Sequence, residues 1–266
     1  MKKPVKILLI ILCVIFLCIF GFSGYKLYSI MHEYKVAADT YNNLSGQFVT
    51  VGPSADRPAQ QKTPGSEEEE EEILDPEISP ISVDFEGLLL TSTDVIGWIY
   101  GPDTVINYPV VMAEDNYYYL HRYIDGEYSG GGSIFADCLC ERDFSLRNTI
   151  LYGHHMNDGS MFASLRSYHQ EGYYEEHPVL YLNTPKRNYR IEVFAGYITD
   201  ADSDSYNVSF PNDEEFLKWI EKLRSQSDFA TDVEIGPKDR IITLSTCSYE
   251  YYDARYVVQG KLVPIH

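Results

Sequence analysis

The chain has 266 residues, of which 40 are acidic and 21 are basic, so its formal net charge is −19. This balance argues against nucleic-acid binding, which needs a basic face for the phosphate backbone. The length predicts one main domain with appended segments, and the 23 tyrosines and 12 phenylalanines favour a β-rich fold.

The N-terminus carries the pattern of a membrane anchor. Three lysines lie in residues 1–6 and precede an apolar run over residues 7–22. The run is near the lower length limit for a membrane-spanning helix, is longer than the usual core of a signal peptide, and is followed by no clear cleavage site. We predict an uncleaved single-pass anchor over residues 7–25, with a cytoplasmic N-terminus and an extracellular remainder. A cleaved signal peptide is the alternative, and it gives the same location outside the cytoplasm.

Two segments separate this anchor from the main domain. Residues 26–50 have apolar residues at helical spacing, which predicts a juxtamembrane helix that is either a spacer or a docking element. Residues 51–80 are rich in proline and glutamate and include the unbroken run Glu67–Glu72. Such a composition cannot bury enough apolar surface to offset the entropy of ordering. We predict a linker that holds the domain away from the membrane.

Residues 81–266 are predicted to form the folded domain. Many short apolar runs separated by turn signals, with few helices, predict a closed β-barrel. One amphipathic helix is expected over residues 213–224, with Asn212 as its N-cap and Glu215 placed as in a capping box. Further short helices are predicted over residues 83–90, 114–121 and 161–165. The strand-like runs are residues 95–100, 105–112, 134–138, 148–152, 179–182, 189–198, 240–244 and 255–263.

The five cysteines divide by context. Cys13 and Cys18 lie in the apolar run, where thiols behave as small hydrophobic groups. Cys138 and Cys140 are two residues apart, and a disulfide between them would be strained, so they are interpreted as unpaired thiols. No CxxC pair suggests a zinc site. Cys247 remains as the candidate reactive thiol.

Three residue types with complementary chemistry are expected at strand ends. Cys247 follows the strand-like run 240–244, Arg255 lies eight residues later at the start of the last strand, and His154 follows the run 148–152. A short connection would bring Cys247 and Arg255 to the same end of a sheet. A thiol, an imidazole and a guanidinium can act as nucleophile, acid/base and oxyanion stabiliser.

These residues resemble the signature of a known family, the sortases. Thr243-Leu-Ser-Thr-Cys247 is similar to the sortase TLxTC motif, and Arg255 and His154 occur in the order that the family requires. The resemblance covers about residues 81–263 and is closest to class B sortases. The stretches that carry the class resemblance are Asp94–Ile99, Ile106–Val111, Asp115–His121, Gly132–Phe135 and Tyr152–Met156.

The resemblance implies an eight-stranded sortase-type barrel and cysteine transpeptidation at the outer face of a Gram-positive membrane. It implies surface-protein substrates with a C-terminal sorting motif of the NPxTx or xPxTG kind, and a peptidoglycan amine as acyl acceptor. No cofactor is implied. The acidic loop with which class A members bind calcium is not evident, so we predict no metal. The glutamate-rich linker is longer and more acidic than the class leads us to expect.

The resemblance also assigns roles to residues. Cys247 is expected to be the nucleophile, His154 rather than its neighbour His155 the acid/base, and Arg255 an oxyanion or substrate donor. Asp158 and Asp253 could orient these groups, but no spacing argument selects either of them. The residues expected to line the groove for the sorting peptide are Asn116, Leu120, Tyr152 and Ser245, for which barrel packing is an equal alternative.

Three other functions stay open at this point. A thiol peptidase would hydrolyse the same acyl-enzyme, because water and an amine compete for one intermediate. A pilin-polymerising sortase would use a lysine side chain as acceptor. Outside enzymes, a surface adhesion or scaffold domain would carry the same residues as a relict site, although the intact set argues against it.

Overall fold

The structure is a computed structural model that describes residues 3–52, 77–248 and 252–266. Most of the predicted linker, residues 53–76, and the first two residues of the predicted cytoplasmic segment lie outside this part of the chain. The chain divides into two compact units, residues 1–41 and 42–266.

A single long helix, α1 (Lys3–Phe48), occupies the first unit and extends into the second. It covers both the predicted anchor and the predicted juxtamembrane helix without a break, and its stretch from Ile11 is long and apolar enough to cross a membrane by length and composition. Its last residues belong to the barrel unit. There Phe48 is buried in a core cluster with Leu88 and Trp98, and Ser45 Oγ accepts a hydrogen bond of 2.8 Å from the side chain of Asn107. The C-terminal end of the helix therefore packs against other residues of the barrel unit and does not serve only as a spacer.

A small antiparallel sheet joins the two ends of the predicted linker. Strand β1 (Val49–Val51) follows α1 directly and pairs with β2 (Ile81–Val83). The amide of Gly52 also donates to the carbonyl of Pro80 over 2.9 Å. The described residues on either side of the predicted linker are therefore paired with each other. This pairing argues against a linker whose length holds the domain away from the membrane.

Eight strands close into the barrel, in the order β10-β8-β7-β3-β4-β5-β6-β9. Most neighbours are antiparallel, but β4 with β5 and β6 with β9 are parallel. These strands are β3 (Val95–Tyr100), β4 (Asn107–Val111), β5 (Ile134–Ala136), β6 (Asn148–Tyr152), β7 (Val179–Asn183), β8 (Asn188–Asp200), β9 (Arg240–Cys247) and β10 (Ala254–Ile265).

The helices lie around the barrel. The longest after α1, α4 (Asp213–Gln226), follows Asn212, whose side chain accepts a 2.9 Å hydrogen bond from the amide of Glu215 as the sequence predicts. Its apolar face packs on β8, β9 and β10 in one buried cluster. The shorter helical elements are α2 (Phe85–Thr91), α3 (Tyr173–Glu176) and the 3₁₀ turns Tyr118–His121, Ala163–His169 and Asp204–Tyr206.

Candidate active site

Three neighbouring strands bring the predicted catalytic residues to one end of the barrel. In the parallel pair of β6 and β9, Tyr152 lies opposite Ser245, and the Gly153 amide extends the ladder by donating to the Ser245 carbonyl over 3.1 Å. His154 therefore follows the end of β6 where β9 reaches Cys247. In the antiparallel pair of β9 and β10, Cys247 lies opposite Arg255. Cys247 and Arg255 are 93 and 101 positions from His154 along the chain, and the strand topology brings all three to adjacent strand ends.

A pocket of about 260 Å³ opens at this end. It is also lined by Tyr117, Phe135, Ala201, Tyr206 and Thr246, none of which is among the site residues predicted from the sequence. All seven residues that the sequence analysis predicts for the site lie in its wall: Cys247, His154, Arg255, Asn116, Leu120, Tyr152 and Ser245.

The His154 ring is oriented by a backbone carbonyl. Its Nε2 lies 2.8 Å from the carbonyl oxygen of Leu120, and because a carbonyl only accepts, Nε2 must carry the hydrogen. The neutral ring then keeps its free lone pair on Nδ1. Burial lowers the pKa of His154 below 6.5, the Leu120 hydrogen bond opposes this shift, and the nearby His121 adds to it. At neutral pH the ring is therefore an uncharged base.

A second imidazole stacks on this ring. The centroids of His121 and His154 are 5.5 Å apart with an angle of 18° between the planes. On its other side His121 faces Tyr128 at 6.3 Å. His121 ends one of the stretches that resemble class B sortases, but its distance of 33 residues from His154 along the chain does not predict that the two rings stack.

The adjacent histidine contacts the backbone of Cys247 instead. His155 Nδ1 lies 3.1 Å from the carbonyl oxygen of Cys247, to which it must donate. His155 does not line the pocket, whereas His154 does. The Cys247 side chain is half-buried at the last position of β9.

The Arg255 side chain makes two contacts with its chain neighbours. One amino group donates to the carbonyl of Ala254 over 3.1 Å, and the other lies 3.9 Å from a carboxylate oxygen of Asp253. The guanidinium has five N–H donors, so these two contacts with described residues leave several for a ligand. Asp253 thus lies near a predicted site residue, whereas Asp158 accepts from the amide and the hydroxyl of Ser160 in its own turn.

A set of hydrogen-bonded polar side chains also lines the pocket. The carboxylate of Asp137 accepts from the Tyr152 hydroxyl over 2.8 Å and from the Asn116 side-chain amide over 3.0 Å. Burial and this carboxylate raise the pKa of Tyr152, so its hydroxyl stays protonated. Ser245 Oγ lies 2.8 Å from the hydroxyl of Tyr206. The pocket therefore combines a thiol, a neutral imidazole and a guanidinium with a wall of fixed polar groups.

A family model for the sortase domain matches residues 102–263. The chain belongs to the sortase family. Sortase B of Staphylococcus aureus is 31% identical over 263 residues, which cover 98% of this chain and 96% of the relative. Sortase B of Listeria monocytogenes is 42% identical over 172 residues, which cover 64% of this chain and 70% of the relative. Among solved structures, the S. aureus sortase B–substrate complex superposes with a TM-score of 0.65 at 34% identity, covering 68% of this chain and 85% of that one.

This sortase is most similar to class B members, and its closed eight-stranded barrel agrees with their structures. Membership of the family makes it a cysteine transpeptidase. The alternative of an adhesion or scaffold domain is therefore wrong.

The other thiols of the sortase domain are unpaired. Cys138 is half-buried, and Cys140 is buried and accepts from the amide of Ile150 over 3.4 Å. Within the described residues, no group of three or more His, Cys, Asp or Glu side chains is arranged to hold a metal ion.

Proposed function

We propose that this sortase cleaves a C-terminal sorting motif of the NPxTx or xPxTG type after its threonine and transfers the threonine carbonyl from Cys247 to a peptidoglycan amine. The observation that carries the proposal is the convergence of Cys247, His154 and Arg255 on one pocket from three adjacent strand ends. The related sortase B of S. aureus has been solved as a substrate complex, which supports substrate binding by this chain as well.

In the first step, the sulfur of Cys247 attacks the carbonyl carbon of the motif threonine, and the thiol proton passes to His154. The C–N bond then breaks, and His154 returns that proton to the leaving amine. A thioester to Cys247 remains. Because burial keeps His154 neutral near pH 7, its Nδ1 can accept the proton. Arg255 stays charged and supplies N–H donors to the oxyanion.

In the second step, the acceptor amine attacks the thioester carbonyl. His154 takes the amine proton and the Cys247 sulfur leaves, so the new amide bond replaces the thioester. Water in place of the amine gives hydrolysis, and a lysine side chain gives polymerisation. The groove residues Asn116, Leu120, Tyr152 and Ser245 hold the sorting peptide in both steps under this proposal.

The test uses the full chain in detergent micelles. It is incubated with a panel of NPxTx and xPxTG peptides without an acceptor, and the intact mass is recorded. We expect an acyl adduct that is absent in Cys247→Ala and retained in Cys138→Ala, which removes another half-buried thiol of the same domain. Candidate amines are then added, and aminolysis products separate transfer from hydrolysis. An adduct that persists in Cys247→Ala would contradict the proposal.

The helix and the lysines near its start support a membrane topology for this enzyme. We propose a single-pass anchor with a cytoplasmic N-terminus and an extracellular barrel, because basic residues favour the cytoplasmic side. External protease added to protoplasts should digest the barrel unit. Full protection of the barrel would contradict this orientation.

A further inference from the structure

A buried carboxylate lies directly behind the wall of the pocket. Asp137 follows β5, its side chain is only 7% exposed, and it does not itself line the pocket. Its Oδ2 accepts from the Tyr152 hydroxyl over 2.8 Å and from Asn116 Nδ2 over 3.0 Å, and its Oδ1 accepts from the Leu139 amide over 2.8 Å. A buried charge is costly unless such donors surround it, so its presence here calls for an explanation.

These contacts fix which way the Asn116 amide points. The Asn116 Oδ1 accepts from the backbone amide of Cys138 over 2.8 Å, and its Nδ2 donates to the Asp137 carboxylate. The backbone N–H can only donate and the ionised carboxylate can only accept, so the reverse orientation would oppose like groups. Among the described residues, the second hydrogen of Nδ2 has no acceptor. Because Asn116 is half-buried and lines the pocket, this hydrogen is available to a ligand there.

We propose that Asp137 is a positioning residue that holds the Asn116 amide with its second N–H presented to a carbonyl oxygen of the bound sorting peptide. This inference rests on the proposed function and adds to it the carboxylate that orients the groove residue Asn116. Asp137 touches no reacting atom, so its effect is expected on peptide binding more than on the chemical step.

Only a carboxylate satisfies all three donors. In Asp137→Asn, one of the two acceptor oxygens becomes an amide nitrogen. If that nitrogen replaces Oδ1, it opposes the Leu139 N–H; if it replaces Oδ2, it opposes the Asn116 Nδ2–H. The variant has nearly the same volume, so it perturbs the hydrogen bonds without creating a cavity.

A reciprocal exchange separates orientation from stability. In Asn116→Asp with Asp137→Asn, the new amide donates to the new carboxylate, the Cys138 amide keeps an acceptor, and the Tyr152 hydroxyl can turn to accept. Every hydrogen bond of the network can form again. Position 116, however, no longer has an N–H to present to the pocket.

The experiment measures initial rates of peptide cleavage under turnover on the full chain in detergent micelles, using the sorting peptide that the wild type prefers and an amine that it accepts. For Asp137→Asn we expect KM to rise about three- to tenfold, as for the loss of one hydrogen bond, with kcat within about twofold. The exchange variant should regain thermal stability but keep the raised KM. Binding of the same peptide to Cys247→Ala, with and without Asp137→Asn, should show the same change in Kd.

The matched control is Asp228→Asn. Asp228 also accepts from a tyrosine hydroxyl, that of Tyr256, over 2.9 Å, and it does not line the pocket. We expect its KM to equal that of the wild type. If the wild type reacts and Asp137→Asn keeps its KM, or if the exchange variant recovers the wild-type KM, this inference is overturned while the proposed function stands. If no peptide acylates the wild type, the proposed function fails, and this inference fails with it.

Discussion

At the scale of the residue, two opposing contacts set the state of His154. Burial and the stacked His121 ring both disfavour the protonated form, while the Leu120 carbonyl favours it by accepting from Nε2. Burial is the largest of these effects. The result is a base that is neutral at physiological pH and oriented before any substrate arrives, which reduces the reorganisation needed during proton transfer.

Replacing the stacked ring should raise the pKa of His154. In His121→Gln the repulsion from a second imidazolium is lost and water gains access to His154, and both changes favour its protonated form. NMR titration of the His154 ring would measure this, with His169→Gln as a control, since His169 pairs with Asp228 away from the pocket. An unchanged or lower His154 pKa in His121→Gln would refute the coupling.

The same pKa shift has a consequence for folding. Because the pKa of folded His154 lies below 6.5, the folded state binds fewer protons than the unfolded chain between these two values, and this group costs stability as the pH falls through that window. Above pH 6.5 it has no such effect. His121→Gln should make the barrel less sensitive to pH below 6.5, as measured by urea unfolding at a series of pH values.

The two thiols of residues 138–140 should differ in reactivity. Burial raises the pKa of Cys140 to about 11, so almost none of it is thiolate at pH 8, whereas Cys138 is half-buried. In Cys247→Ala, iodoacetamide should label Cys138 and leave Cys140 unmodified until the protein is unfolded. Peptide mapping by mass spectrometry would show this, and equal labelling of both thiols in the folded protein would contradict it.

At the scale of the element, a tight turn supports the carbonyl that orients His154. Gly132 has φ +57°, and a Cβ at this position would lie 2.3 Å from the Leu120 oxygen and 2.5 Å from the Tyr119 oxygen. Both are backbone atoms of the 3₁₀ turn Tyr118–His121. Only glycine allows this approach, so the loop before β5 and the 3₁₀ turn are fitted to each other.

Gly132→Ala should therefore damage both stability and catalysis. We expect a loss of about 1–3 kcal/mol from the strained backbone, together with slower adduct formation because the Leu120 carbonyl must move. Gly131→Ala is the control, since its Cβ would meet the Met156 side chain at an ordinary 3.6 Å. Both tryptophans, Trp98 and Trp219, lie in the barrel unit, so fluorescence reports its unfolding. Equal effects of the two variants would argue against this role of Gly132.

The elements also show what the sequence could predict. The strands that carry Cys247 and Arg255, and the strand that precedes His154, are apolar runs with local motifs, so the sequence predicts their positions to within a few residues. The pairing of β1 with β2 was not predicted, because three-residue strands show no periodicity. Asp137 and His121 were missed for a different reason. Their importance depends on contacts with Asn116 and His154, which only the closed barrel brings together.

At the scale of the whole molecule, the β1–β2 pair changes the interpretation of the acidic segment. The described chain leaves at Gly52 and returns at Glu77, which accepts from the Tyr181 hydroxyl over 2.6 Å and pairs with Arg190. Gly52 is hydrogen-bonded to Pro80, and Glu77 is three residues away, a span of at most about 11 Å. A very short connection would therefore suffice to join the two ends.

Replacing residues 53–76 with six Gly/Ser residues should leave folding and adduct formation intact. Both ends already belong to the barrel unit, and closing a shorter segment costs less conformational entropy, so the stability should rise by roughly 1–2 kcal/mol. A neutral Gly/Ser segment of the original 24 residues is the matched control. Tryptophan fluorescence and intact mass would be recorded for both variants. If only the short variant lost the adduct, the length of the segment would be needed; if both lost it, the acidic sequence itself would take part in the reaction.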